Sequence, residues 1–348
     1  MASWQYAVDR FCCQYLQLEQ DLDFPSADCL PLDVVQDAIF RRLFALGAVR
    51  HGPPVRYQVR TLKELVSRIT ASIDDWDEHA VSDNLMSALS GLLSTPLPAE
   101  AASARQRCYV TYRLSALARD PDEVGGGSAE VPDVTLLESR SLISAGGTTG
   151  LRTWEAALHL GQYLCANAAI VSGKRVLELG AGTGYLSILC AKHLSCASAV
   201  ASDGSDDVVD HLADNLLLNG LRDASRVRPT TLKWGQALVG VDERPGNGGG
   251  PVDVVLGADI TYDQSVLPAL VATLLGLFEL YPLVEVYISA TQRNEETFEA
   301  FLDASRRKGL VVEDIEFPMP TRQRQQAPFY SGRVPIRLCG VSKAGRQP

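Results

Sequence analysis

Three closely spaced glycines are the strongest chemical signal in this sequence. The mostly apolar run 176–179 leads into Gly180, Gly182 and Gly184, and a second apolar run begins at Tyr185. Glycines let the backbone turn tightly and approach a ligand without interference from a Cβ atom. The free N–H groups at the start of a following helix attract polar or anionic ligand groups. The spacing therefore predicts a strand, a ligand-binding loop and a helix, in that order.

Such a loop can hold a dinucleotide, hold a different nucleotide, or bind nothing. The dinucleotide fingerprint reads G-x-G-x-x-G/A, whereas here Tyr185 stands where the third small residue would pack. Glu178 lies two residues before the first glycine, and its carboxylate disfavours a doubly negative pyrophosphate. The same carboxylate suits the positively charged amino end of a methionine-type ligand. We therefore favour S-adenosylmethionine over NAD and over an empty turn.

Further polar residues follow other apolar runs that read as strands. Asp203 follows Gly182 by about 20 residues, the separation at which an acidic residue commonly binds ribose hydroxyls. Asp259 and Tyr262 come after the apolar run 253–258. Because ligands of parallel sheets bind at the carboxyl ends of the strands, we expect these side chains to line one crevice. The alternatives are a helix N-cap for Asp259 and a packing role for Tyr262.

The elements that must position these residues begin at about residue 150. There the hydrophobic pattern alternates between strand and helix, which predicts a mostly parallel sheet covered by helices. The last two strands follow one another without a helix between them, so one of them should be antiparallel. The predicted strands cover 175–179, 197–202, 252–258, 284–290, 310–317 and 334–341. The predicted helices cover 185–193, 206–219, 265–280 and 294–307.

The residues before this alternation predict two smaller parts. Apolar residues recur at helical spacing through most of the first hundred residues, and Thr61 and Glu64 have the spacing of a helix-starting capping box. Residues 108–114 and 134–138 alternate as strands and predict a long-looped β-hairpin. We therefore predict an N-terminal helical domain at 1–100, a linker and hairpin at 101–145, and a cofactor-binding α/β domain at 146–348.

Composition and charge disfavour several classes of function. The chain has 348 residues and a net charge of −10, which disfavours a nucleic-acid partner. Its eight cysteines form no C-x-x-C pair and it has five histidines, so we expect no metal site. Scattered cysteines and the lack of a signal peptide or a membrane-spanning run indicate a cytoplasmic protein. The lack of a long apolar heptad favours a monomer.

The motifs resemble those of a known enzyme family. E-L-G-A-G-T-G at 178–184, with Asp203, resembles the first two motifs of the seven-strand S-adenosylmethionine-dependent methyltransferases. More narrowly, roughly residues 140–300 are similar to a group of protein lysine methyltransferases. Within that group, L-I-S at 142–144 and the helical leader resemble most the elongation factor 2 lysine methyltransferases. The segments that carry the narrower resemblance are G-T-T-G-L-R-T-W-E-A-A at 147–157, N-L-L-L-N-G at 215–220, L-K-W at 232–234 and D-I-T-Y at 259–262.

The resemblance implies a fold and a set of binding residues. The fold would be a doubly wound, seven-stranded, mostly parallel α/β sheet of the Rossmann-like methyltransferase type, with the helical domain and hairpin as extensions. Trp154 would lie against the cofactor at the front of the site, Asp203 would bind ribose, and Trp234 would flank adenine. The methionine end would be lined by Gly180, Ala181 and Gly182, with Glu178 near its amino group and Ala258 contributing backbone.

It also implies that Asp259 and Tyr262 act on a lysine. A lysine ammonium has no lone pair, and forming the neutral amine at pH 7 costs about 4.6 kcal/mol from its ordinary pKa of about 10.4. Asp259 favours the charged form, so we assign it to capturing and orienting the lysine rather than to deprotonation. Tyr262 would provide a cation–π wall and a hydroxyl that aligns the nitrogen.

Several functional interpretations remain open at this point. The first is methylation of a lysine of elongation factor 2, and the second is methylation of another protein, on lysine, histidine or an N-terminal amine. A nucleic-acid methyltransferase is disfavoured because the chain has D-I-T-Y where such enzymes often have a Pro-Pro motif. A cofactor-binding interaction module without catalysis is the fourth. Arg293 follows a strand that ends at the same sheet edge and could contact substrate, but we favour a surface residue at a helix start, with Asn294 as the N-cap. Arg322 and Arg324 are interpreted as loop residues that could meet an acidic partner.

Overall fold

The protein is described by a computed structural model that covers residues 3–96, 107–118, 131–139, 149–236 and 252–345. Its chain divides into two units. The first is formed by residues 1–115 with the short segments 139–141 and 326–329, and the second by the rest of the chain. The separate linker and hairpin part at 101–145 stays a prediction, because many of its residues lie outside the described ranges.

The first unit is built mainly from helices, as the apolar spacing predicted. Its buried core joins side chains from the four α-helices described there, including Phe11, Tyr15, Ile39, Leu65 and Leu85. The helices and the strand that follows them are α1 (Ser3–Leu16), α2 (Asp33–Ile39), α3 (Val55–Ser72), α4 (Asp83–Leu93) and β1 (Arg107–Arg113).

The capping-box interpretation of Thr61 and Glu64 is wrong. Helix α3 begins at Val55, directly after Pro54, so Thr61 lies inside the helix and is buried. Proline fixes its own φ and is well tolerated where a helix starts, so the chain can turn into α3 about two turns earlier than the Thr-x-x-Glu spacing indicated.

The second unit contains a seven-stranded sheet with helices packed against it. The sheet order is β5-β4-β3-β6-β7-β9-β8, parallel except for β9, which runs antiparallel to both neighbours. This confirms the predicted α/β class and the single reversed strand. The strands are β2 (Asp133–Ser139), which is outside this sheet, β3 (Arg175–Leu179), β4 (Ser198–Asp203), β5 (Val227–Thr231), β6 (Val254–Ala258), β7 (Glu285–Thr291), β8 (Leu310–Asp314) and β9 (Ile336–Lys343).

Four of the helices described in this unit fall where the sequence pattern placed them, to within a few residues, whereas the helix Glu155–Ala166 was not among the predicted ones. They are α5 (Glu155–Ala166), α6 (Tyr185–Lys192), α7 (Asp206–Leu218), α8 (Leu267–Leu280) and α9 (Glu295–Arg307). One face of the sheet illustrates the packing: Leu177, Val255 and Ile288 share a buried core with Leu270 and Leu274 of α8. Central parallel strands are buried on both sides, which is why their sequences are almost continuously apolar.

Strand β5 was not among the strands predicted from the sequence. Its residues, V-R-P-T-T, are more polar than those of the central strands and include Pro229. A proline removes a ladder hydrogen bond and is tolerated at a sheet edge, which is where β5 lies. The edge position therefore explains both the sequence and the missed prediction.

The parallel strands bring their carboxyl ends to one edge of the sheet. Leu179 at the end of β3 pairs with Ser202 of β4 on one side and with Gly257 of β6 on the other. Ala258, the last residue of β6, pairs with Ser289 of β7. The glycine loop, Asp203 and Asp259 all follow directly from these positions, so the sheet register itself assembles the site.

Candidate active site

A cleft of about 1000 Å³ lies at this edge of the sheet. This volume is at the upper end of the usual range for small-molecule sites. The cleft brings together all ten residues that sequence reasoning assigned to binding or catalysis. They are Trp154, Glu178, Gly180, Ala181, Gly182, Asp203, Trp234, Ala258, Asp259 and Tyr262.

The glycine loop needs its glycines for backbone reasons. Gly180 and Gly182 have φ of 65° and 54°, in the left-handed region that other residues rarely adopt. A Cβ atom on Gly182 would lie 3.0 Å from the carbonyl oxygen of Gly150, so the loop is also packed too closely for a side chain. Tyr185 starts α6 and packs against Gly161 of α5, where a Cβ would approach its ring to 2.7 Å. A large ring therefore occupies the position at which a dinucleotide fingerprint requires a third small residue.

Glu178 is a buried carboxylate at the end of β3. One of its oxygens accepts hydrogen bonds from the backbone N–H and the hydroxyl of Ser187, in the first turns of α6. Burial raises the pKa of Glu178 to about 7 from an ordinary 4.5, partly opposed by the Ser187 hydrogen bonds. A cationic group arriving beside it would favour the ionised form.

Asp203 lies opposite the loop, at the end of β4. Its two carboxylate oxygens accept hydrogen bonds from the backbone N–H groups of Gly182 and Ser205, both at 3.1 Å. Burial raises the pKa of Asp203, and these backbone hydrogen bonds act in the opposite direction. The carboxylate is thus fixed beside the loop, in a position to accept hydrogen bonds from ligand hydroxyls.

We call this part of the cleft the glycine-loop end (Glu178, Gly180, Gly182, Asp203 and Trp234). Trp234 is half-buried and its ring lies beside Gly180. Two carboxylates and an aromatic wall suit a cationic, phosphate-free nucleoside and suit a pyrophosphate poorly. The residues present therefore fit S-adenosylmethionine.

The N-L-L-L-N-G motif has a supporting role in this unit. Asn215 accepts a hydrogen bond from the backbone N–H of Leu137 in β2 and donates one to the carbonyl oxygen of Thr183 in the glycine loop. Asn219 bonds both the N–H and the carbonyl of Thr135 in β2. These two asparagines therefore fasten β2 and the loop to α7.

Asp259 lies at the other side of the cleft, where β6 ends. Its φ of 52° is left-handed, and α8 begins only at Leu267, so the helix N-cap alternative is wrong. Its carboxylate accepts hydrogen bonds from the N–H and hydroxyl of Thr291, at 2.7 and 3.0 Å, and its side chain is 9% exposed. Burial raises the pKa of Asp259, while Thr291 and the Arg293 guanidinium lower it.

Tyr262 is exposed, so the alternative of a packing residue is also wrong. Its accessible fraction is 63%, and it lines the cleft three residues after Asp259. A large aromatic side chain that is kept in water beside a carboxylate suits contact with an incoming cationic chain.

Arg293 is a residue of the cleft that the sequence interpretation undervalued. It is exposed, as expected, but its guanidinium also lines the cleft. It pairs with Glu155 at 2.7 Å and with Asp259 at 3.4 Å, and it lies 4.7 Å from the centre of the Trp154 ring. The signal was present, because Arg293 follows β7 and that strand ends at the same sheet edge as Asp259.

We call this part of the cleft the Asp259 end (Trp154, Asp259, Tyr262 and Arg293), and Glu155 binds Arg293 without lining the cleft itself. Trp154 precedes α5, and its indole N–H donates to the carbonyl oxygen of Thr149 at 3.2 Å. Glu155 and Thr291 were not identified from the sequence. Arg322 and Arg324 are exposed and do not line the cleft, and residues 142–144 lie outside the described residues.

Two features are absent from the part of the chain that the structure describes. There, no group of His, Cys, Asp or Glu side chains is arranged to hold a metal ion. Within the same ranges, no helix is both long and apolar enough to cross a membrane.

Comparison with known proteins relates the whole chain to lysine methyltransferases. A model of the lysine methyltransferase family matches residues 140–307. Protein-lysine N-methyltransferase EFM3 of Chaetomium thermophilum is 56% identical over 343 residues, 99% of this chain and 100% of the relative. Human protein-lysine N-methyltransferase EEF2KMT is 30% identical over 305 residues, 84% and 82% of the two chains. Among solved structures, a SAM-dependent methyltransferase from Aquifex aeolicus has a TM-score of 0.39 at 14% identity, covering 53% of this chain and 90% of that one.

The identification rests on the sequence relatives, because the two named above match far more of the chain than the family model does. The methyl donor anticipated from Glu178 and the glycine loop is the donor that this kind of enzyme uses. The chain belongs to the family of S-adenosylmethionine-dependent protein-lysine N-methyltransferases.

Proposed function

We propose that this enzyme methylates a lysine side chain of elongation factor 2. The observation that carries the proposal is the length of the similarity to EEF2KMT, whose name abbreviates a lysine methyltransferase of that factor. The match covers 84% of this chain, far more than the 140–307 segment that the family model matches. It therefore includes residues outside the methyltransferase domain, which suits a shared protein substrate.

We assign the two ends of the cleft to the two reactants. S-adenosylmethionine bound at the glycine-loop end supplies a methyl group on a cationic sulfur. Glu178 holds the amino group of the donor, Asp203 its ribose and Trp234 its adenine. Gly180, Ala181 and Gly182 line the methionine end, and the backbone of Ala258 completes that wall.

The Asp259 end receives the lysine. Asp259 attracts and orients the ammonium, because its carboxylate is held rigidly by Thr291 at hydrogen-bond distances of 2.7 and 3.0 Å. Tyr262 forms an aromatic wall that holds the lysine side chain by cation–π contact, and Trp154 lies against the donor at the front of the site. The ammonium must lose its proton to water before the nitrogen lone pair can form the new N–C bond. The residues therefore orient an amine more than they deprotonate it.

A labelling experiment tests the substrate assignment. The enzyme is incubated with a tritiated methyl donor and purified elongation factor 2, and the product is digested and analysed by mass spectrometry. We expect a methylated lysine in elongation factor 2 with the wild-type enzyme and strongly reduced label with Asp259→Asn and Tyr262→Phe. If a lysate from cells lacking the enzyme shows label in another protein and none in elongation factor 2, the substrate assignment fails and the second interpretation replaces it.

A further inference from the structure

Arg293 places a fixed positive charge at the end of the cleft where the cationic ammonium of the acceptor lysine is proposed to bind. Its guanidinium is held by Glu155 at 2.7 Å, by Asp259 at 3.4 Å and by the face of Trp154 at 4.7 Å. These partners come from the start of α5 and from the end of β6, whereas Arg293 itself follows β7. A cation that is anchored from several elements, and half in water, has a defined position next to the carboxylate that is proposed to hold the acceptor lysine.

The charge balance at this end of the cleft decides how easily that lysine loses its proton. Asp259 and Glu155 together carry two negative charges, which stabilise the ammonium and oppose formation of the nucleophilic amine. Arg293 reduces the sum to one negative charge. The other ionisable groups that line the cleft are the same in every variant considered below: Arg152, Glu178, Tyr185, Asp203, Lys233, Tyr262 and Asp263.

We propose that Arg293 is a positioning residue that offsets the Asp259–Glu155 pair, so that the acceptor lysine is oriented by a carboxylate but still loses its proton readily. The inference rests on the proposed function only in placing the acceptor beside Asp259. It explains why a carboxylate can occupy the acceptor end of an enzyme whose substrate must become neutral. In the reaction, water takes the ammonium proton, the nitrogen lone pair forms the N–C bond, and the S–C bond of the donor breaks.

The competing explanation is a purely mechanical one. Arg293 ties α5, β6 and the segment after β7 together, and removing such a tie would lower activity without changing its pH dependence. The two explanations predict different shifts of the pH–rate curve for a pair of variants. Losing Arg293 should make the acceptor harder to deprotonate, whereas losing Glu155 should make it easier, although both variants break the same 2.7 Å ion pair.

The test is the pH dependence of methyl transfer for Arg293→Gln and Glu155→Gln. Rates are measured between pH 7 and 10 at saturating tritiated donor, with the lysate of cells lacking the enzyme as acceptor and the labelled band quantified. The rate should rise with pH as the acceptor lysine loses its proton, and we call this part of the pH–rate curve the rising limb. We expect the rising limb to shift to higher pH by about 0.5–1 unit in Arg293→Gln and to lower pH by a similar amount in Glu155→Gln. At pH 7 this is a loss of about three- to tenfold for Arg293→Gln, which shrinks as the pH rises.

Matched controls separate charge from structure. Arg293→Lys keeps the charge and should leave the rising limb within about 0.2 pH unit of wild type, even though lysine does not reproduce the stacking of the guanidinium on Trp154. Arg306→Gln and Asp303→Asn remove the partners of an exposed ion pair on α9 that does not line the cleft, and neither should move the limb. Limbs that stay in place, or that move in the same direction in Arg293→Gln and Glu155→Gln, would overturn the proposal. The identity of the labelled band is read separately, so a substrate other than elongation factor 2 would sink the proposed substrate without affecting this result.

Discussion

The two ends of the cleft are built in different ways. The glycine-loop end comes largely from one continuous stretch, from β3 through the loop and α6 to the end of β4, and its carboxylates are held by backbone N–H groups and Ser187. The Asp259 end is assembled from three separate segments joined by the side chain of Arg293. Backbone geometry dictates the first end, whereas long-range side-chain contacts dictate the second.

This difference has a functional meaning. A ligand that is the same in every reaction is best held by a rigid, backbone-defined site, whereas a large protein substrate is received at a more exposed one. Asp259 belongs to both kinds of site: its carboxylate is almost buried and rigidly held, whereas Tyr262 and Arg293 at the same end of the cleft are exposed. If the ends act separately, substitutions at one end should leave the function of the other intact. The following predictions, from the largest expected effect to the smallest, test that separation.

Asp259→Asn should lower the rate of methyl transfer by about 100-fold or more, because it removes the charge that holds the lysine. Asparagine tolerates the left-handed φ of 52° and can still accept the Thr291 hydrogen bond, so the fold should be kept. The initial rate is measured with saturating donor, and adenosylhomocysteine affinity is measured by calorimetry. An affinity loss as large as the rate loss would show that the ends are not separate.

Asp203→Asn should act on the other end of the cleft and weaken adenosylhomocysteine binding by about 10- to 100-fold. The reason is that a charge-assisted hydrogen bond contributes about 1.5–3 kcal/mol. The amide oxygen can still accept the N–H of Gly182, so the loop should remain in place. Calorimetry gives the affinity directly. Unchanged affinity would exclude a ribose-binding role for Asp203.

Glu178 should make donor binding depend on pH. With a pKa of about 7 in the ligand-free protein, its carboxyl is mostly protonated at pH 6 and mostly ionised at pH 8. Adenosylhomocysteine affinity should therefore rise about three- to tenfold from pH 6 to pH 8, because only the carboxylate pairs with the cationic amino group. In Glu178→Gln this rise should be absent, and an equal rise in the variant would assign it to another group.

The same residue should reduce the stability of the ligand-free fold at high pH. Because the folded pKa of about 7 exceeds the ordinary 4.5, the folded protein binds the proton more tightly than the unfolded chain. Its contribution to the free energy of unfolding is complete below pH 4.5 and is lost as the pH rises to 7. Glu178→Gln should therefore melt a few degrees above wild type at pH 8 and close to it at pH 5. A gap of equal size at both pH values would contradict this.

Trp234→Leu should have the smallest effect, a loss of about 2- to 10-fold in adenosylhomocysteine affinity, since an aromatic contact contributes about 0.5–1.5 kcal/mol beyond its buried area. Trp234→Phe is the matched control and should lose less. Equal losses in both variants would indicate that the ring contributes only volume.

The contrast between the two ends also explains what the sequence could reveal. The glycine loop, Glu178 and Asp203 were identified because local spacing determines their geometry. The place of Arg293 at the sheet edge could be inferred from the sequence, but its ion pair with Glu155 could not, because that pair joins residues 138 positions apart. Strand β5 was missed because an edge strand need not be apolar, and the start of α3 was misplaced because Pro54 outweighs the Thr61–Glu64 spacing.

A crystal structure of the adenosylhomocysteine complex tests the central assignment most directly. We predict the amino group of the ligand within hydrogen-bond distance of Glu178, its ribose hydroxyls on Asp203, and its sulfur turned toward the Asp259 end. A ligand bound in the reverse direction, with its sulfur away from Asp259, would contradict the assignment of donor and acceptor to the two ends.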